Sequence, residues 1–301
     1  MLNIVLWLAL ALMWSSSFTA IKLGVETIAP LPLVSGRMII GLAIMFVVLK
    51  LRNMTLSRNG RDWFAYAFSG LMGNTVPFVL ISYGEQHVDS ALAALLMGIA
   101  PVATVLIAHI AVPGEGLTRR SAAGIVTGFI GLVMLVGPGA LSGLGSHLVG
   151  QIAIVCAALC YAVTTIFVKN YAVRPPLEMA TGSMLVGTLC ICAATAASFA
   201  LGDRAAFSAP SFSSAAAVVY LGVFSTALAT LIYFHLVPRI GATRMSQINF
   251  AVPVGGALLG VALLGETIAP SKALALCVIM AAIYLVTSRP GGRRTAATQR
   301  Q

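Results

Sequence analysis

Charge is what this chain has least of. Asp, Glu, Lys and Arg make up 9% of its 301 residues, where soluble globular proteins carry roughly 25%. So few charges cannot solvate the outside of a chain this long, which excludes a cytosolic enzyme. Disorder is excluded as well, because 59% of the residues are hydrophobic and the mean hydropathy is +0.99. No Gly-Lys pair occurs, so there is no Walker A loop to cradle a nucleotide. No His is followed by Glu, and Gly-x-Ser-x-Gly is missing, which removes the zinc-protease and serine-hydrolase signatures. Cys156, Cys160, Cys190, Cys192 and Cys277 lie in apolar stretches without zinc-site spacing and act as small apolar fillers. Neither a cofactor nor a metal is expected, and the chain is not expected to be an enzyme.

What is present is apolar helix of membrane length. A bilayer core about 30 Å thick needs ~20 apolar residues of helix to cross it. Ten such stretches are visible: Asn3–Lys22, Leu31–Leu51, Trp63–Tyr83, Val88–Val112, Arg120–Val136, Gly150–Lys169, Leu177–Ala200, Ala215–Leu236, Met245–Leu264 and Ala269–Thr287. The first lacks a basic start and a small-residue cleavage site, so it is expected to be a retained helix. Barrel strands would alternate apolar with polar residues, and none do. The joints hold fourteen Lys and Arg on one side and three (Lys22, Arg204, Lys272) on the other. That asymmetry predicts a multi-pass inner-membrane protein with both termini cytoplasmic. The net charge of +10 then faces anionic lipid. A nucleic-acid partner would need a folded basic face, and the joints leave no room for one.

The strongest internal signal is a repeat. Gly36-Arg37-Met38-Ile39-Ile40-Gly41 is echoed by Gly182-Ser183-Met184-Leu185-Val186-Gly187, Trp14 and Lys22 by Tyr161 and Lys169, and Pro101 by Pro253. Gly114-Glu115 matches Gly265-Glu266, and Asn74-Thr75 corresponds to Ser225-Thr226. The partners keep the same order in both halves. Five spans per half is an odd number, so the second half must enter the membrane inverted. The expected fold is all-α: ten transmembrane helices as two inverted five-helix repeats around a central cavity. The repeats take residues 1–140 and 141–288, and 289–301 form a basic cytoplasmic tail. Two inverted halves around a midplane site are the architecture of many secondary transporters.

The Trp14-Ser15-Ser16-Ser17-Phe18 run, Arg37, Pro101 with Gly114-Glu115 and their second-half partners resemble the drug/metabolite transporter superfamily, in its EamA-type exporters. The resemblance spans nearly the whole chain and looks most like the amino-acid exporters of that group. It implies that spans 1, 3, 4, 6, 8 and 9 surround the cavity, with spans 5 and 10 peripheral. The small multidrug members carry a glutamate in span 1 for proton exchange, and this chain has none there.

Candidate substrate contacts follow from helical spacing. Trp14, Ser17 and Phe18 share one face of span 1, and Tyr161, Thr164 and Thr165 repeat that spacing in span 6. Asn74 and Phe78 lie a turn apart in span 3, with Tyr83 further out. Ser246, Asn249 and Pro253 form a stripe in span 9, opposite Met97 and Pro101 in span 4. Each proline frees a backbone carbonyl, which an ammonium group would satisfy. Arg37 is the one charge clearly inside a span, and a charge there is costly enough to be functional by default. Arg37, Glu115 and Glu266 are assigned to gating; snorkelling for the first and helix capping for the others are the competing readings. Trp63, Tyr66 and Tyr284 read as interfacial belt residues.

These features predict a secondary transporter exporting small organic solutes, foremost amino acids, aromatic or otherwise neutral, by alternating access. Its partners would be a small-molecule substrate and membrane lipid, and a monomer suffices because both halves are in one chain. A carrier of phosphorylated or nucleotide-linked metabolites would need several central cations. An intramembrane enzyme would need a catalytic constellation, and none is seen.

Overall fold

A computed structural model describes residues 2–88, 90–113, 117–137, 144–202, 209–264 and 270–287. Every regular element among them is helical. In chain order these are α1 (Leu2–Val25), α2 (Pro30–Leu51), α3 (Gly60–Gly70), a π-helical turn (Leu71–Thr75), α4 (Val76–His87), α5 (Ser90–Met97), α6 (Ile99–Ala111) and α7 (Arg119–Val136). Then follow α8 (Leu148–Tyr171), α9 (Pro176–Ala200), α10 (Phe212–Tyr220), a second π segment (Leu221–Leu228), α11 (Ala229–Ile240), α12 (Ala242–Ser246), α13 (Ile248–Leu264) and α14 (Pro270–Thr287).

Local chemistry accounts for the ends. Asn59 caps α3 by accepting from Arg61 N at 3.0 Å, and Ser211 caps α10 by accepting from Ser214 N at 3.1 Å. Thr118 and Ser121 form a reciprocal capping box before α7. Gly241 takes φ +89° between α11 and α12, a conformation that favours glycine. Two stretches are interrupted rather than ended. The chain turns at Gly98, where Gly98 N bonds Leu95 O at 3.0 Å, and again at Gln247, where Phe250 N bonds Gln247 O at 3.0 Å.

Among the described residues, six helices are long and apolar enough to cross a membrane: Leu2–Val25, Pro30–Leu51, Gly60–His87, Leu148–Tyr171, Pro176–Ala200 and Phe212–Ile240. The two π segments fall inside two of these. The remaining apolar stretches are shorter, or are split at Gly98 and Gln247. The chain is therefore an all-helical protein with six clear apolar spans. Its outside is apolar, with Ile110 88% exposed, while Asn74, Gln247, Thr226 and Arg37 are buried. That inversion of the soluble pattern suits lipid as solvent.

Packing brings the first part of the chain against the second. α7 lies on α14, with Gly131 where a Cβ would stand 2.8 Å from Ile279. α2 packs on α9 and on the second π segment, while α9 packs also on α3 and the first π turn. α4 and α6 line α8, and α1 lies against α10, α11 and α13. Gly70 meets the Ser183 carbonyl so closely that only hydrogen fits between α3 and α9.

Polar bolts join the two parts at both ends. At the Gly60 end, Tyr66 Oη donates to Glu178 Oε1 at 2.6 Å, Ser57 N donates to the same oxygen at 3.1 Å, and Arg174 pairs with Asp62 at 2.6 Å. Tyr66 is fully buried, so it is not a belt residue as its sequence position suggests; its ring packs under Gly182 and its hydroxyl is spent on Glu178. Trp63 and Tyr284 are exposed, as a belt requires. At the opposite end Ser214 Oγ donates to Leu23 O at 2.7 Å and Ser211 N to Thr27 Oγ1 at 3.1 Å across the two parts, while Lys22 Nζ donates to Glu85 O at 2.8 Å within the first.

Candidate functional site

The site is built around a partition of aromatic rings. Trp14 of α1 stacks on Tyr161 of α8 with ring centroids 6.2 Å apart and 25° between planes, and lies 6.2 Å from Tyr233 of α11. Tyr233 is fixed by a 2.9 Å bond between its hydroxyl and that of Thr165, which also donates to Tyr161 O at 2.7 Å. Phe78 of α4 completes the layer.

Two small cavities meet at this layer, and Trp14, Phe78 and Tyr161 wall both. The first, about 40 Å³, adds Ser17, Phe18, Ile21, Arg37, Ile81, Met97, Asn249 and Val252. The second, about 20 Å³ and nearer the Tyr66–Glu178 bolt, adds Ser69, Gly73, Asn74, Thr164, Ser225, Thr230, Tyr233 and Phe234. Each has room for water only, whereas small-ligand pockets run to roughly 300–1,000 Å³. Admission of an organic solute therefore requires the surrounding helices to separate. A larger cavity of about 450 Å³ lies apart, at the Gly60 end between α3 and α8, against the exposed Phe64. It too lies where the first part meets the second, but at the Asp62–Arg174 end and away from the aromatic layer.

The polar inventory is mostly neutral. Ser69 Oγ and Thr164 Oγ1 are buried walls of the second cavity and make no hydrogen bond within the protein. Hydroxyls in that condition lose the water they had and gain nothing until something polar arrives. Asn249 Nδ2 donates to Ser246 O at 3.1 Å, which leaves its carbonyl oxygen as an acceptor. Pro101 and Pro253 do not themselves wall either cavity. The residues four positions before them, Met97 and Asn249, do, and a proline offers no amide to the carbonyl at that position. Arg37 is the only charged wall of the two cavities. It is 2% exposed, donates from Nε to Thr226 Oγ1 at 2.9 Å, and sets its guanidinium carbon 3.9 Å above the Phe78 ring.

Of the residues expected from the sequence, Trp14, Ser17, Phe18, Arg37, Asn74, Phe78, Met97, Tyr161 and Asn249 come together on the two cavities. Thr165 supports Tyr233 from behind. Ser246 is buried in α12 with its hydroxyl on Thr243 O. Tyr83 is 37% exposed and rests on His87 with centroids 4.8 Å apart. Glu115 and Glu266 lie outside the described residues. Ile21, Ile81, Val252, Thr230, Tyr233 and Phe234 were not singled out. Among the described residues no group of His, Cys, Asp or Glu is placed to hold a metal ion.

The arrangement is a polar-and-aromatic compartment between two packed parts of an all-helical chain with long apolar spans. Residues 1–137 and 148–288 match the EamA-like transporter family, and the chain belongs to that family. The chain is 28% identical over 282 residues to the uncharacterized inner membrane transporter YedA of Escherichia coli K12, covering 93% of this chain and 88% of that one. It is 27% identical over 292 residues to a probable terminal-alkyne amino-acid exporter of Streptantibioticus cattleyicolor, covering 95% and 93%. A solved crystal structure superposes with a TM-score of 0.76 at 20% identity, covering 95% of this chain and 97% of that one, and shares the fold.

Proposed function

We propose that this transporter exports small organic solutes, foremost neutral and aromatic amino acids, from the cytoplasm across the inner membrane by alternating access. In this reading ten spans form two inverted halves, residues 1–140 and 141–288, and both termini are cytoplasmic. Several features support the inversion. The same family matches twice. π segments interrupt the third and eighth spans, and breaks at Gly98 and Gln247 precede the paired prolines. The packings exchange when each span is traded for its partner: α1 on α13 becomes α8 on α6, and α2 on the second π segment becomes α9 on the first. The observation that carries the reading is the partition itself, in which Trp14 and Phe78 of one half meet Tyr161 of the other between two cavities.

The mechanism follows from the bolts. Breaking Tyr66–Glu178 and Asp62–Arg174 frees the cytoplasmic ends of the halves and enlarges the second cavity for cargo. Breaking the bonds from Ser214 to Leu23 and from Ser211 to Thr27 frees the outer ends and enlarges the first. Both sets are closed here, which matches the contracted cavities. Aromatic faces take the side chain of the cargo, while Ser69, Thr164 and Asn249 take its polar groups. Phosphorylated cargo is disfavoured because Arg37 is the only cationic wall.

The test is efflux from proteoliposomes loaded with labelled tryptophan, phenylalanine or threonine. The proposal expects flux well above empty vesicles for at least one of them. No flux across a broad panel of metabolites overturns it.

A further inference from the structure

Among the described residues Arg37 has no counter-charge. It lies two turns into α2, and the described residues around it are neutral: Thr226 and Ser225 of the second π segment, Phe78 of α4, and across the cavity Tyr161 of α8 and Asn249 of α13. Both ion pairs among the described residues belong to Arg174. A guanidinium has five N–H donors. Nε is satisfied by Thr226 at 2.9 Å, and Nη2 reaches Ser225 O only at 3.5 Å, the far limit of a hydrogen bond. The Phe78 face is a weak substitute for an anion. Burying a charge this way is expensive unless a partner arrives during function.

We propose that Arg37 is the specificity-determining contact for the carboxylate of the cargo, so that this transporter carries monocarboxylates, amino acids included, and rejects amines, amides and phosphate dianions. The inference rests on the transport reading above and narrows it. The free edge of the guanidinium takes a carboxylate in two parallel bonds. One cation balances one negative charge, so a phosphate dianion stays half neutralised. The ammonium of an amino acid meets the Trp14 and Tyr161 faces and the carbonyls that Pro101 and Pro253 leave free at Met97 and Asn249.

The experiment uses the purified full chain in proteoliposomes. Four indoles that differ in whether they carry the amine, the carboxylate or both compete with efflux of the labelled amino acid: tryptophan, indole-3-propionate, tryptamine and tryptophan amide. The corresponding four analogues of phenylalanine run in parallel. Acids are expected to compete, and amines and amides to compete on the order of 100-fold more weakly, the usual consequence of leaving one member of a buried charged pair alone. Arg37→Gln is expected to lower competition by the acids by a similar factor and to leave that of the amines unchanged. Amines competing as well as acids on the wild-type chain overturn the proposal, and that comparison needs no variant to fold. Equal weakening of acids and amines by Arg37→Gln overturns it too, because a purely structural arginine gives that result. Carriage of solutes that lack a carboxylate, with none of those that have one, sinks this inference while the transport reading stands. No flux of any compound sinks both.

Discussion

The bond from Tyr66 to Glu178 offers the sharpest lever on the proposed cycle. Both side chains are buried, the contact is 2.6 Å, and it joins α3 to α9 across the two halves. Tyr66→Phe removes the donor without changing the ring that packs under Gly182. Hydrogen bonds to charged groups contribute about 1.5–3 kcal/mol. Glu178 keeps Ser57 N at 3.1 Å and Arg174 nearby at 3.9 Å, so it is not stranded. The middle of that range, about 2 kcal/mol, is the expected loss from the closed state. If the bond exists only while the cytoplasmic end is shut, the equilibrium moves toward the cytoplasm-open form by roughly 30-fold. Thr230→Cys, on the wall of the inner cavity, reports that opening in a chain whose five cysteines are replaced. An impermeant maleimide applied from the cytoplasmic face should label it roughly 30-fold faster when Tyr66→Phe is added. Unchanged labelling together with a lowered melting temperature would refute the reasoning, because the bond would then persist through the cycle as plain structure.

Other expectations follow from the same geometry. Gly255→Ala should destabilise the fold by about 1–3 kcal/mol, because its Cβ would crowd the Ser15 side chain, with 3.0 Å to Ser15 Cβ, where α1 crosses α13. Gly256→Ala, one residue on and with open space around it, should be neutral or slightly stabilising in the same thermal-unfolding assay. Trp14→Ala removes ring contacts to both Tyr161 and Tyr233, at about 0.5–1.5 kcal/mol each, and should weaken competition by aromatic amino acids at least about tenfold. Tyr233→Phe costs about 1 kcal/mol of stability, since Thr165 keeps its bond to Tyr161 O, and should leave competition within a few-fold of wild type.

Six of the ten expected spans and many of the residues that wall the two cavities were legible in the sequence because lipid imposes length and apolarity, and because a straight helix repeats every 3.6 residues. Trp14, Ser17 and Phe18 reached the cavity on that rule alone. The same rule, applied more strictly, would have replaced Tyr83 by Ile81. Five residues beyond Phe78 falls well round the helix, whereas three beyond falls on the same face, and Ile81 walls the first cavity. The π segments defeated the count elsewhere. Ser225 and Thr230 are five apart, too far for one face of an α-helix, yet both wall the second cavity because the wider turn from Leu221 to Leu228 brings them into line. Thr230, Tyr233 and Phe234 then follow at i, i+3 and i+4, a stripe that was readable. The prolines stand one turn away from the cavity walls, and the carbonyl each leaves without an amide belongs to Met97 or Asn249. Tyr66 looked interfacial because nothing in its own helix announces Glu178, 112 residues away.

The account stands most directly on whether the two cavities face opposite sides of the membrane in turn. Asn249→Cys and Ser69→Cys place one probe in each, on opposite sides of the Trp14–Tyr161 stack. Impermeant thiol reagents added to oriented vesicles should reach Asn249→Cys only from outside and Ser69→Cys only from the cytoplasm. A transported amino acid should shift the two labelling rates in opposite directions. Both positions reacting from the same face, or both rates staying indifferent to every cargo tried, would contradict it.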